Sequence, residues 1–249
     1  MTEERKRRRF RSPRVVGATV EGAGKGATAV LDTVTGESRI PLALALVGAI
    51  LLQFVLPNKV RIIHEPWLLP SLQGILLIAL LASNPLRPTE QRPFVRTISL
   101  LMLGAIAFND IVGIVRLVKL LLSGDESQLG TFTGTYLIRY AVVIWLTNVI
   151  VFALAYFELD QGGPSKRILG IGRADFQFPQ QTEDLRAAWA DWRPAFVDYL
   201  FLSFTNSTAF SPTDTMPLSH WAKMLMLTQS AAALVTIGVV AARAVNILG

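Results

Sequence analysis

The sequence contains no cysteine and only two histidines, His64 and His220, which limits the catalytic and metal-binding sites that it can form. Without cysteine there is no disulfide, no thiolate nucleophile and no cysteine-ligated metal. Both histidines lie in or beside predicted loops, so a histidine-based metal site is not expected. The GAGKG run at 22–26 lacks the length, the flanking strand and the Ser/Thr of a phosphate-binding loop. We therefore expect no catalytic residues, no metal and no cofactor, and we predict that the protein is not an enzyme.

Charge is also scarce: charged residues make up 17% of the 249 residues, and hydrophobic residues make up 51%. A soluble domain of this length would carry more charge, and here the apolar residues form long blocks, which is typical of multi-span helical membrane proteins. The net charge of +6 comes largely from the basic run at 5–14. In a membrane protein such a run predicts contact with anionic lipid headgroups on the cytoplasmic side rather than nucleic-acid binding.

The apolar blocks predict an all-α polytopic fold with about five transmembrane helices and one re-entrant half-helix. Residues 1–39 read as a basic, flexible tail, 40–131 as a three-span region, and 132–249 as a pore-module-like region. The predicted spans are 40–56, 67–83, 95–122, 132–157 and 221–248.

The longest predicted loop, 159–194, contains a segment with helical periodicity. Leu185, Trp189 and Trp192 recur on one face, and Thr182 stands where a helix cap belongs, ahead of two acidic residues. We predict an interfacial amphipathic helix over 182–194.

A short apolar helix, 198–209, then precedes a polar turn and the last span. With about three turns it is too short to cross a bilayer. This order resembles the pore module of potassium channels, from about Tyr136 to Leu248, without a gap. The residues that carry the resemblance are Ser203, Thr208, Ala209, Asp214, Pro217, Trp221 and Lys223.

The chain departs from that family at the selectivity filter, where Phe210-Ser211-Pro212-Thr213 replaces the Val-Gly-Tyr-Gly of the channels. Glycine adopts the positive φ that an inward-facing carbonyl ladder needs, whereas Thr213 is β-branched and Pro212 has a fixed φ and no N–H. A potassium-selective filter is therefore not expected.

We predict that the loop lines a pore in a homo-oligomer, where a ring of Asp214 carboxylates would favour monovalent or divalent cations. Two alternatives remain open: a pocket for a small ligand or lipid headgroup, and a non-conducting hairpin that keeps only the fold. The predicted pore-lining residues are Asn206, Thr208, Phe210, Ser211, Pro212, Thr213 and Asp214.

A second candidate site is the carboxyl of Asp110, near the middle of the third span. Ionisable groups at that depth are costly and are usually paired or functional. In an antiparallel hairpin with the fourth span, Arg139 lies about five residues nearer the loop, or about 7.5 Å of rise. We predict an ion pair of Asp110 with Arg139 or Arg116, and the alternative is an ion or proton relay.

The distribution of basic residues predicts a cytoplasmic N-terminus. Four spans then precede the half-helix, so it would enter from the cytoplasm, opposite to the potassium channels. The chain as a whole also resembles families of bacterial multi-pass membrane proteins of unknown function, with four spans, a re-entrant segment and a last helix from residue 40 onward. That resemblance implies the architecture and brings no activity with it, and we expect a location in a bacterial plasma membrane.

Overall fold

The computed structural model describes residues 40–55, 67, 70–75, 93–122, 134–208 and 214–248. Outside these residues lie the predicted tail 1–39, most of the predicted second span at 67–83, and the loop 209–213 that holds the predicted filter. The predicted spans 40–56 and 132–157 and the half-helix 198–209 each lose one or two residues at an end.

The described part of the chain is mostly helical, which confirms the all-α class. Two pairs of residues form a small antiparallel sheet, in which β1, Phe176–Gln177, pairs with β2, Met216–Pro217. The helices are α1 Ile40–Val55, α2 Pro93–Leu122, α3 Gly134–Leu159, α4 Pro164–Ile168, α5 Glu183–Arg186, α6 Phe196–Thr208 and α7 His220–Leu248, with single 3₁₀ turns at Asp160–Gly162 and Pro179–Gln181.

Two helical stretches of the described chain are long and apolar enough to cross a membrane. They are Leu100–Lys119 within α2 and Ile138–Gly162, which covers most of α3. A shorter apolar stretch, Pro41–Val55, forms most of α1. The composition of these helices is consistent with membrane association.

Helix α3 is the centre of the bundle, and α1, α2, α6 and α7 all pack against it. Its sequence is apolar on every side, which suits a helix that is surrounded by others. Between 151 and 157 every residue of α3 is buried, with Ala153 and Tyr156 at 0% exposure.

The outward faces of the surrounding helices are apolar too. Phe108 of α2 is 64% exposed, Phe201 of α6 is 61% exposed, and Leu234 of α7 is 64% exposed. Scattered apolar residues are common on any protein, but large side chains exposed along several helices form a surface suited to lipid or to a partner helix.

Residues 160–195 and 214–219 form a folded layer at the end of α3, which we call the cap. It begins where α3 stops: Gln161 takes a positive φ of 56°, and Gly162 and Gly163 follow with φ of 75° and 107°. Glycine adopts these angles at little cost, so the Gly-Gly pair lets the chain turn sharply back into α4.

The carboxylate of Asp160 joins three parts of the cap. Its Oδ1 accepts hydrogen bonds from the backbone N–H of Asp175 at 2.9 Å and of Phe176 at 3.3 Å, and its Oδ2 accepts one from the Tyr199 hydroxyl. Burial and the neighbouring carboxylate raise the pKa of Tyr199, so its hydroxyl remains a donor. Asp160 therefore ties the end of α3 to β1 and to the start of α6.

The guanidinium of Arg167 closes the end of α3 from the other side. It donates to the carbonyls of Phe157 at 2.9 Å and Asp160 at 3.2 Å, which satisfies acceptors that a helix terminus leaves unpaired. It also lies 4.7 Å from the ring centroid of Phe157 and 5.0 Å from that of Tyr199. A cation over aromatic rings is stabilised by their electron-rich faces.

The predicted amphipathic helix over 182–194 is wrong beyond Arg186. Only Glu183–Arg186 is helical, and turns follow. Thr182 does precede the helix, but its hydroxyl donates to the Pro179 carbonyl at 2.7 Å instead of capping. Trp192 packs on Phe178 within the cap, with ring centroids 5.5 Å apart, so it leaves the face that the periodicity assigned to it.

We predict that Asp160→Ala destabilises the protein strongly, because it leaves the Tyr199 hydroxyl and two backbone N–H groups without their acceptor. Removing one partner of buried, charge-assisted hydrogen bonds costs about 3–5 kcal/mol of unfolding free energy. Denaturation in detergent measures the loss, and the exposed Asp191→Ala serves as the control, with a change below about 0.5 kcal/mol. Equal stability of the two variants would contradict the anchoring role.

Candidate functional site

Helix α6 runs antiparallel to α3, from the cap into the bundle. Tyr199 lies beside Asp160 at the end of α3, whereas Ser203 donates to the Val149 carbonyl at 2.6 Å. One turn later Ser207 donates to Oδ1 of Asn148 at 3.5 Å. Its 13 residues, about 20 Å of helix, therefore end beside the middle of α3.

The start of α6 is fixed by its own sequence as well as by the cap. Oδ2 of Asp198 accepts a hydrogen bond from the Ala195 N–H at 2.8 Å, which is one half of a capping box. Burial raises the pKa of Asp198, and the Ala195 N–H offsets part of that rise.

Helix α7 starts at the same end of the bundle as α6. Just ahead of it, the Leu218 N–H donates to the Asp175 carbonyl at 2.7 Å, and in its first turn Trp221 donates to the Asp175 side chain at 2.8 Å. Both helices therefore run away from the cap, and the chain between Thr208 and Met216 has to return to it. The return from the level of Thr208 to that of Tyr199 is about 14 Å, and eight extended steps reach about 26 Å.

Polar side chains fill the contact between α3, α6 and α7. We call these residues the polar cluster: Asn148, Tyr156, Ser203, Asn206, Ser207, Gln229 and Ser230.

Gln229 of α7 is the centre of this cluster and is 0% exposed. Its Nε2 donates to the hydroxyls of Ser203 at 2.6 Å and Ser207 at 2.7 Å. Its Oε1 accepts from the Tyr156 hydroxyl at 2.5 Å and from the Asn206 amide at 2.8 Å. Both donors and both acceptor positions of the amide are thus used, so one side chain joins three helices.

Asn206, a predicted pore-lining residue, is turned towards α7 of its own chain. Besides Gln229, its Nδ2 donates to the Met226 carbonyl at 3.0 Å, and its Oδ1 accepts from the Ser230 hydroxyl at 3.0 Å. Its amide is therefore hydrogen-bonded inside the subunit.

The structure describes two more of the predicted pore-lining residues, one at each end of the loop. Thr208 is half-buried and its hydroxyl bonds back to the Thr205 carbonyl at 2.9 Å. Asp214 is exposed, immediately before the buried Thr215 and β2. The remaining four, Phe210, Ser211, Pro212 and Thr213, lie outside the described residues.

Asp110 is buried in α2, at 5% exposure, and its polar neighbour is the Asn148 amide. Arg139 is exposed on α3, so the predicted Asp110–Arg139 pair is not formed in the described structure. Arg116 is half-buried and lies six residues further along α2, about 9 Å of rise and about 240° of rotation from Asp110. The axial offset from which the Asp110–Arg139 pair is predicted takes no account of rotation about the axis of α3, and that rotation leaves Arg139 exposed.

Sequence reasoning missed two residues on which the structure depends, Gln229 and Asp160. The signal for Gln229 was present, since an uncharged polar residue inside a long apolar helix usually bonds across to another helix. Asp160 gave no such signal because it stands in an apparent loop, and its partners are 15 to 39 residues away.

No group of three or more His, Cys, Asp or Glu side chains is placed to hold a metal ion in the part of the chain that the structure describes. No protein-family model, curated protein or solved structure matches the chain.

We predict that Gln229→Leu destabilises the bundle by about 2–4 kcal/mol, because it strands several buried hydroxyl and amide groups. Thr228→Val on the next residue is the matched control, since Thr228 is exposed and bonds only to the Met224 carbonyl of its own helix. Denaturation of both variants in detergent tests the prediction. A Gln229→Leu protein as stable as the control would show that the cluster is dispensable.

Proposed function

We propose that this protein is an integral membrane protein with an ion-channel-like pore hairpin that conducts cations without selecting potassium. The hairpin consists of α6, the loop 209–213 and α7, packed on α3. The observation that carries the proposal is that α6 and α7 both start at the cap, so the chain enters the bundle and returns within 20 residues or so. A half-helix of this kind is how channels and transporters place polar backbone at membrane depth.

In this arrangement five helices span a bacterial plasma membrane, and α6 enters only part of the way. The N-terminus, with its basic tail near anionic lipid, is cytoplasmic, and the cap lies on the same side. Support comes from the exposed basic residues of the cap, since positive charge accumulates on the cytoplasmic side. These residues are Lys166, Arg173, Arg186 and Arg193.

Two electrostatic features of the hairpin favour cations. The C-terminal end of α6 carries the negative pole of the helix dipole and directs it at the loop. The exposed carboxylate of Asp214 stands at the other end of the loop, and a ring of such groups in a homo-oligomer would concentrate cations. Pro212 and Thr213 argue against a carbonyl ladder and hence against potassium selectivity.

One observation favours a second candidate, a non-conducting scaffold or a protein that binds a small ligand or lipid. The polar groups of α6, above all Asn206 and Ser203, bond to α3 and α7 of the same chain. They therefore stabilise the subunit, and conduction depends on the loop and on Asp214 alone.

The conduction proposal is tested in planar bilayers with purified protein. We expect cation currents, and we expect Asp214→Asn to lower the cation-to-anion permeability ratio several-fold because the ring of negative charge is lost. Asp191→Asn is the matched control, since Asp191 is also exposed on the cap but precedes α6 and is not part of the segment that joins α6 to α7.

Silent bilayers containing an intact oligomer would contradict conduction and support the scaffold. Equal permeability ratios in the two variants would remove Asp214 from the ion path. A monomeric protein would exclude an axial pore, because a single hairpin cannot enclose one.

A further inference from the structure

Five buried side-chain polar atoms lack a hydrogen bond in the described part of the chain, and two of them lie close together between the packed helices α2 and α3. These two are Oδ2 of Asp110 on α2 and Nδ2 of Asn148 on α3. The side chains are 5% and 1% exposed, and the Asn148 amide approaches the Asp110 carboxyl without forming a hydrogen bond of good geometry. Buried polar groups in an apolar bundle are normally hydrogen-bonded, so these two atoms require an explanation.

In the part of the chain that the structure describes, the helices that pack against α2 bring no basic side chain next to the Asp110 carboxyl. On α3, Tyr140 and Tyr156 are each eight residues from Asn148, about 12 Å along the axis, and Arg139 is exposed. On α7, Lys223 is exposed and lies six residues closer to the cap than Gln229. An isolated carboxylate in an apolar medium is costly, and the neutral acid is the form that such a site favours.

The Asn148 amide can form a hydrogen bond with either the ionised or the protonated carboxyl of Asp110. Its oxygen and nitrogen are similar in size, so a 180° turn exchanges their places without moving other atoms. As placed, Oδ1 accepts from Ser207 over a long 3.5 Å. Turned round, Nδ2 donates to Ser207 and Oδ1 faces Asp110, where a proton on Oδ2 completes a hydrogen bond. A single proton and one amide turn thus satisfy both orphan atoms.

We propose that the Asp110 carboxyl is a proton-binding site that is occupied at neutral pH. Through Asn148, this protonation state determines the hydrogen bonding of Ser207 near the end of α6. When the site is empty, Asn148 turns its N–H to the carboxylate and Ser207 donates. When it is filled, Ser207 accepts from Asn148 while it keeps accepting from Gln229 at 2.7 Å. A hydroxyl can accept two hydrogen bonds, so Ser207 can hold both amides, and its own O–H is then released from Asn148. The proposal does not depend on conduction.

Infrared difference spectroscopy of the full-length protein in lipid nanodiscs tests the site directly. We expect the wild type to show the C=O stretch of a protonated carboxyl at neutral pH. Asp110→Asn should remove this band, Asp110→Glu should move it while keeping the acid, and the exposed Asp191→Asn should leave it unchanged.

No protonated carboxyl band in the wild type at neutral pH would overturn the proposal. So would a band that persists unchanged in both Asp110 variants. A band that weakens when sodium replaces choline in the buffer would show that the site takes a cation rather than a proton, and would overturn it as well.

The coupling of Asp110 to Ser207 has its own test in two serine variants. Ser207→Ala should shift the frequency of the Asp110 band, because Ser207 is the partner of Asn148. Ser203→Ala is the matched control, since Ser203 also bonds to Gln229 but donates to the Val149 carbonyl. Equal frequencies in Ser207→Ala and the wild type would overturn this coupling.

Discussion

Polar groups inside this bundle have to be paired within the chain, because the helices around them are apolar and supply no alternative. In water an unpaired amide or hydroxyl bonds to solvent and loses little free energy. In an apolar interior each unpaired group costs several kilocalories per mole. Two or three such groups would cost about as much as the whole stability of a typical domain. The contacts of Gln229 follow from this constraint: its four hydrogen bonds are the means by which a glutamine can stand at 0% exposure in α7. Asp160 meets the same constraint at the end of α3, with backbone N–H groups and a tyrosine hydroxyl as its donors.

These two residues together determine where α6 lies. Asp160 holds its first turn through Tyr199, and Gln229 holds its last two turns through Ser203 and Ser207. A 13-residue helix is marginal by itself, so its position has to come from tertiary contacts. Because both ends of α6 are fixed against α3 and α7, the position of Thr208, where the helix stops, follows from contacts within the chain.

The sequence predicts the helices of this fold well and its long-range pairing poorly. Apolar runs locate α1 and α7 to within one residue at each end, because an apolar block bounded by proline or polar turns leaves little choice. The sequence predicts a loop with one amphipathic helix where the structure has the cap. The cap is held in place by Asp160 and Arg167, and hydrophobic periodicity does not reveal the partners of these side chains. The pairing of Asp110 with Arg139 was inferred from rise alone, and the rotation of α3 turns that arginine outward.

Among the buried polar groups left without a hydrogen bond in the described part of the chain, Asp110 is the one that can ionise. Where evolution or chance retains a costly buried acid, an unfilled hydrogen bond marks either a bound partner or a change of state. The neighbouring Asn148 lies next to this acid and also accepts from Ser207. The amide turn proposed for Asn148 therefore changes the hydrogen bonding of the hydroxyl that also accepts from Gln229. The constraint that fixes α6 is thus also the route by which the state of α2 can reach the end of α6.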